Sequence, residues 1–271
     1  MDKLSVLFWN VHNLRDEAHA SRVIEHIQKS NPDLFCLAEV VGPQAYELIA
    51  KRFPEHNFYM SYGRQSQELL VGIRRSIPAF FTQKSEFQSG NAFLRPAVLL
   101  TMPLAEPPLN ILFVHLKSFT QPFDLGCRDD FFTRVFALKR TLDSLSVGKS
   151  QFIVCGDMNF QGMHYLQKNL IKSDEEFRHV QNEAGDNGML FVKMSHTTTW
   201  KSGTSRRDVE DLDHVLATSN IEFIEKGEGR QDPYEVIVSG WNQYPVGSPE
   251  EKGFIETVSD HCALYFETKV K

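Results

Sequence analysis

The stretch QFIVCGDMNFQG, residues 151–162, decides how the chain reads. Apolar residues Phe152 to Cys155 run into Gly156, and Asp157 and Asn159 then stand two apart with Met158 between them. The apolar run reads as a buried strand. A carboxylate where such a strand leaves the core is poor structural material, because desolvation penalises it unless a cation or hydrogen-bond donors compensate. An Asx turn or a helix cap is the bland explanation, since Asp and Asn serve both routinely.

The same arrangement recurs outward from this point. Asn10 ends LSVLFWN (4–10), Glu39 lies at the end of DLFCLAEV (33–40), and His115 lies near the end of LNILFVHLKS (109–118). Asp213 opens DHVLATS (213–219), and Asp260 and His261 open HCALYFETK. Ligands and catalysts collect at such edges, because the strand is rigid and the loop beyond it is open. Glu39, Asp157 and Asp260 offer hard anionic oxygens, and Asn10 and Asn159 offer neutral ones. That donor set suits Mg²⁺, with Mn²⁺ as a substitute. With two histidines added, it is the inventory of metal-assisted phosphoester hydrolysis. Taken singly, Glu39 also reads as a salt-bridged strand end and His115 as a hydrogen-bonded core histidine. His12 and His214 read as structural or supporting.

The remaining pattern sets the fold class. Apolar residues at helical spacing mark a helix over 17–29, a second from Pro43 to Phe53 and a third over 128–145, with another expected near 162–171. Further strands are expected at 68–74, 78–83, 94–102 and 235–239. Several strands follow one another without a helix between them, which points to antiparallel hairpins. Residues 182–210 and 240–257 read as irregular. Packed sheets with helices outside satisfy this order, and no linker-like segment divides the chain, so a single domain over 1–271 is expected.

Bulk properties narrow the function classes. The 29 basic and 35 acidic residues leave a net charge of −6, which excludes coating of nucleic acid through bulk charge but not local capture of a phosphate. Cys36, Cys127, Cys155 and Cys262 lack zinc spacing and read as reduced thiols, three of them inside apolar strands. The start shows no signal-peptide pattern, and no apolar run reaches the ~20 residues of a membrane span. A soluble, cytoplasmic protein without membrane contact is the expectation.

In order along the chain, WNVHNL, LAEV, VHLKS, GDMN, DLDHVL and SDHCAL resemble the motifs of the endonuclease/exonuclease/phosphatase superfamily. GDxN or SDH alone would be weak, whereas six in order from Asn10 to His261 are specific. The resemblance implies a four-layer α/β sandwich, with two mixed, mostly antiparallel sheets face to face and helices outside. It implies that Glu39 binds the metal with Asn10 and Asp260 close by, that Asp157 positions and deprotonates a water, and that Asn159 holds a phosphate oxygen. It also implies catalytic roles for His115 and His261, with Asp213 or Asp260 pairing His261. Glu68, in ELLVGIRRS, sits where deoxyribonuclease-like members keep a Glu that orients the first His. Arg95, in FLRPAVLL, sits where related enzymes keep a phosphate-contacting Arg.

The substrate is written less plainly. Arg64, Arg74, Arg75, Arg95, Lys117, Lys201, Arg206 and Arg207 could contact backbone phosphates. Trp200 could stack a base or line the cleft, or simply anchor its loop. The SFTQPFDLG segment (118–126) could form a lip. A DNA-acting phosphodiesterase or endonuclease is the leading reading. A phosphomonoesterase, or a small-nucleotide or inositol-phosphate phosphatase of the same fold, is second, and a non-catalytic binding module is third.

Overall fold

A computed structural model describes residues 2–64, 67–146, 148–166, 168–203, 209–227 and 233–270. The first sheet contains β1 (Lys3–Leu14), β2 (Leu34–Val40), β3 (His56–Met60), β4 (Glu68–Arg74), β15 (Val236–Ser239) and β16 (Ala263–Lys269), in the order β15-β16-β1-β2-β4-β3. The second contains β5 (Phe80–Lys84), β6 (Ala97–Met102), β7 (Leu109–His115), β8 (Gln151–Asp157), β11 (Met189–Phe191) and β14 (Asp213–Thr218), in the order β11-β14-β8-β7-β6-β5. Each sheet has one parallel pair at its heart, β1 with β2 and β7 with β8, joined through α1 (Glu17–Ser30) and α3 (Pro122–Leu145). The other neighbours are antiparallel.

The near-continuous apolar runs follow from burial on both faces. In the second sheet Ile111, Phe113, Ile153, Cys155, Val215 and Ala217 join the core between the sheets. Their neighbours Leu112, Val114, Phe152, Val154 and Leu216 pack outward with Phe131, Phe132, Val135 and Phe136 of α3 and Val180 and Ala184 of α4 (Ser173–Asp186). The first sheet is covered by α1, α2 (Pro43–Arg52) and α5 (Pro249–Thr257), whose buried residues Val23, Ile27, Ile49 and Phe254 extend the same core. The result is helix, sheet, sheet, helix, the four layers expected. Cys36, Cys155 and Cys262 are buried and Cys127 is half-buried, and all four are free thiols.

Residues 162–166 and 168–171 are not helical. They form a hairpin of β9 (Met163–Tyr165) and β10 (Lys168–Ile171), and the helix begins at Ser173. The acidic run Asp174, Glu175, Glu176 starts it: the Glu175 carboxylate accepts from the Lys172 N–H at 2.8 Å and suits the positive helix end. The expected loop over 240–257 contains α5, where Ser248 accepts from the Glu251 N–H at 3.1 Å and Pro249 opens the first turn. Helix α3 starts six residues before position 128, so the second half of the 118–126 lip is its first turn. β11 and the short pair β12 (Trp200–Lys201) and β13 (Val209–Glu210) lie within the stretch expected to be irregular. No helix among the described residues is long and apolar enough to cross a membrane.

Candidate active site

Sheet register assembles the site. His115 pairs with Asp157 across the parallel β7–β8 ladder, and Asp157 pairs with Asp213 across the antiparallel β8–β14 ladder. The three residues therefore form one row across adjacent strands. Side chains alternate with period two along a strand. Phe113, Cys155 and Val215, two residues away in each strand, face the core between the sheets, so the row points into the same gap at its open end. The first sheet supplies the opposing wall. Trp9 of β1 packs against His26 and Phe254 on the helix side, and Asn10, its neighbour, turns the other way. Asn10 pairs with Ala38, which places Glu39 one residue beyond. The β2–β4 ladder shifts register between Leu37 and Val40, and Glu39 sits at φ 63° within that irregularity.

The side chains then interlock. The Asn10 amide donates to Asp157 Oδ2 at 3.0 Å and to Glu39 Oε1 at 3.3 Å. The Asn13 N–H donates to Glu39 Oε2 at 3.0 Å. His115 Nε2 lies 3.6 Å from Glu39 Oε1 and 3.5 Å from Asp157 Oδ2. His261 Nδ1 donates to Asp213 Oδ2 at 2.8 Å, and its Nε2 lies 3.9 Å from Asp157 Oδ2. Ser259 links the two sheet ends: its hydroxyl donates to the Asn10 carbonyl at 2.7 Å and accepts from the His261 N–H at 3.0 Å. Asp260 is held by His12 Nδ1 at 2.9 Å and by the Trp200 indole N–H at 2.9 Å. Asn159, at φ 51°, donates to the Leu116 carbonyl at 3.2 Å. Asn10, Glu39, His115, Asp157, Asp260 and His261 line one cleft of about 660 Å³.

Charge states follow from this packing. Burial and the neighbouring Asp213 push the Asp157 carboxyl up to about 7. Burial alone would keep His261 neutral, but the Asp213 carboxylate, with help from Asp157 and Asp260, overrides it and raises the imidazole to about 10. Burial holds His115 well below its ordinary value, and Arg95 and His261 add to the effect. His115 is therefore neutral and His261 cationic at neutral pH. Burial opposes ionisation of Asp260, but His12, His261 and Trp200 outweigh it and lower its pKa.

The residues present fit a divalent cation. Asp157 and Asp213 carry carboxylate oxygens within 4.8 Å of each other, and Asp213 Oδ1 is buried without a hydrogen-bond partner among the described residues; His261, protonated against Asp213, adds positive charge there and is no ligand. Glu39, half-buried, and Asp157, buried, also face each other across neutral donors, and such a pair of carboxylates calls for positive charge. Hard oxygens of this kind suit a divalent cation.

Other expected residues divide. Glu68 is buried, but its carboxylate accepts from the Ser61 hydroxyl and from the Gly63 N–H at 2.8 Å. It does not hold His115, whose Nδ1 lacks a hydrogen-bond partner among the described residues. Arg95 lines the cleft, donates to the Leu116 carbonyl at 3.4 Å and to Gln67, and has a buried Nε without a hydrogen-bond partner among the described residues. Trp200 lines the cleft and orients Asp260. Among the basic candidates Lys117 lines the cleft, paired with Asp124 at 3.1 Å, whereas Arg74 pairs with Asp33 and Lys201 is buried against Glu251 away from it. Arg206 and Arg207 lie outside the described residues. His214 is structural, buried against Phe160, Phe177 and Phe191. Sequence reading underrated His12, which holds Asp260, and missed Ser259 altogether. For Ser259 the only local signal was its place beside Asp260 and His261.

Solved structures share this architecture. TDP2 from Caenorhabditis elegans aligns with a TM-score of 0.66 at 14% identity, covering 99% of this chain and 98% of that one. TDP2 of D. rerio complexed with single strand DNA product aligns with a TM-score of 0.65 at 16% identity, covering 98% of each chain. An AP endonuclease from Leishmania major aligns with a TM-score of 0.67 at 13% identity, covering 99% of this chain and 88% of that one. No curated protein sequence matches significantly. The Endonuclease/Exonuclease/phosphatase family model matches residues 7–261, a span holding Asn10 at one end of the site and His261 at the other, and the chain belongs to that family of phosphoester hydrolases.

Proposed function

We propose that this chain is a Mg²⁺-dependent phosphodiesterase, with Mn²⁺ able to substitute, that cleaves DNA by in-line attack of an activated water. The observation that carries this reading is the buried array in which Asp213 holds a cationic His261 whose Nε2 faces Asp157, with Glu39 and Asn10 alongside. Glu39 and Asn10, with Asp260 close by, would hold the ion, which supplies charge neutralisation at the phosphate and at the departing oxygen. Asp157 has a carboxyl near neutrality and accepts the proton of the attacking water. Asn159 orients a phosphate oxygen beside it. His261 donates from Nε2 to a non-bridging oxygen as negative charge builds up there, while Asp213 fixes its tautomer and stabilises the cation. His115, neutral and flanked by Glu39 and Asp157, contributes a hydrogen bond without adding charge. A DNA substrate draws support from the structural likeness to a D. rerio TDP2 bound to single strand DNA product and to an AP endonuclease, together with Arg95 and Lys117 in the cleft.

The test is plasmid nicking with Mg²⁺, with and without chelator, beside a chromogenic phosphodiester. Nicking that chelator abolishes is expected, and Asp157→Ala, His261→Ala and Glu39→Ala should each lose 10²-fold or more while keeping their circular dichroism. Turnover of the small diester alone would transfer the chain to the reading of a small-nucleotide phosphodiesterase. Silence in both assays, or near-normal activity in any two variants, would overturn the proposal.

A further inference from the structure

Backbone strain gathers around the cleft. Eight non-glycine residues among those described adopt positive φ, and five of them, His12, Asn13, Glu39, Phe119 and Asn159, line the cleft. His and Asn tolerate this region, and Glu39 reaches it to turn its carboxylate into the site. Phe119, at φ 81°, has neither excuse. A bulky aromatic there is an outlier that persists only when its surroundings over-determine it. They do. The Phe119 N–H donates to Gln161 Oε1 at 2.6 Å, and the Gln161 amide donates in turn to Glu210 at 2.9 Å. The Phe119 carbonyl accepts from Arg128 at 2.8 Å, and Arg128 is locked to Glu176 at 2.6 Å.

Arg128 and Glu176 belong to the fold, but the Phe119 ring does not, because Phe119 is 66% exposed. An exposed ring gains little from the hydrophobic effect, so the carbonyl bond to Arg128 accounts for the backbone conformation but not for a bulky aromatic at this position. What the clamp achieves is placement. Phe119 lies four residues beyond His115, hence within about 14 Å along the chain. Its backbone is tied to Gln161, two residues beyond Asn159. The Lys117 ammonium stands 4.5 Å from the ring centroid, and the Arg64 guanidinium stands 5.6 Å from Phe93, a second exposed ring of the same cleft. Lys117 is paired with Asp124 at 3.1 Å, which fixes its ammonium beside the ring. Rings edged by cationic groups suit a ligand that is both aromatic and anionic.

We infer that Phe119 is a preorganised stacking platform for a nucleobase of a single-stranded polynucleotide whose phosphate lies in the catalytic row. This rests on the function proposed above and names the form of its substrate. An unpaired base has a free π face for the ring, whereas an acyl chain would call for an apolar slot without flanking cations.

The test reads binding in chelator, without turnover. End-labelled oligothymidylate is compared by fluorescence anisotropy with the same backbone carrying abasic sugars. Wild type should prefer the base-bearing strand, and Phe119→Ala should bind it about 5- to 150-fold more weakly and lose the preference. Phe119→Trp should keep it. Phe119→Gly relieves the positive φ, so it should lose affinity like Phe119→Ala yet melt no lower than wild type. Wild-type affinity in Phe119→Ala, a lowered melting temperature in Phe119→Gly, or no base preference in wild type would each overturn the inference. Base-dependent binding without cleavage of any strand in Mg²⁺ would leave the platform standing and remove the proposed activity.

Discussion

Glu176→Leu should destabilise the protein by about 3–5 kcal/mol, the range for removing one partner of a buried ion pair. Arg128 is 1% exposed and Glu176 5% exposed. The guanidinium donates to Glu176 at 2.6 and 3.0 Å, and also to the carbonyls of Lys117 at 3.1 Å, Phe119 at 2.8 Å and Gly162 at 2.9 Å. Glu176 additionally accepts from the Gly162 N–H at 2.7 Å. In the variant the cation stays buried with carbonyl dipoles alone, and one buried N–H loses its acceptor. Against a total stability of about 5–15 kcal/mol, that loss is large. Urea denaturation should show the midpoint falling at unchanged slope. The double variant Arg128→Met, Glu176→Leu removes both charges and should be more stable than Glu176→Leu, although carbonyls left without a donor hold it below wild type. The pair also pins residues 117–119, just beyond His115, and a displacement of about 1 Å near a catalytic group can cost 10²-fold. The double variant should therefore recover stability more fully than kcat/KM. A loss below about 1 kcal/mol in Glu176→Leu, or a double variant as unstable as the sum of both single variants, would refute the reasoning.

Three further outcomes are expected. Gly156→Ala would place a Cβ 2.1 Å from the Val114 carbonyl oxygen, so β7 and β8 must separate. Thermal melting should fall by the equivalent of about 3 kcal/mol, and turnover should drop because His115 and Asp157 share that ladder. Asp213→Asn removes the carboxylate that holds His261 cationic, so the imidazole pKa followed by NMR should fall from about 10 and kcat should drop by 10²–10⁴-fold; an imidazole still charged at alkaline pH would contradict this. Glu267 is opposed by burial, but Lys226, Lys3 and Tyr265 donate to it at 2.6, 3.0 and 2.9 Å and lower it to about 2. Its folded pKa lies below the unfolded one, so its stabilisation is present above about pH 4.3 and fades as pH falls toward the folded value. Glu267→Gln should lose on the order of 2 kcal/mol at neutral pH, and its denaturation curve should converge on that of wild type in acid.

Much of the fold was legible because local chemistry carried it. The alternation of core residues in LNILFVH and QFIVC, the helical spacing of Val23, Ile24 and Ile27, and the polar residues capping each apolar run are all properties of short windows. The hairpin at 163–171 was misread because Met163, Leu166 and Leu170 imitate helical spacing, whereas Leu166 is an exposed turn residue at φ 48°. Helix α5 is not legible as a helix although Ser248 and Pro249 announce it, because it has few apolar residues and Phe254 among them packs on the distant Trp9.

By itself, the chain's order of residues determined which polar groups would stand at strand ends, and so the chemistry open to them. Only the tertiary structure decided the pairings: His261 takes Asp213 across 48 positions, Asn10 bridges to Asp157 across 147, and Glu68 turns to Ser61 and Gly63 instead of His115. Such choices depend on ladder register and on the closure of two sheets over one core. Propensities act over a few residues and contain neither.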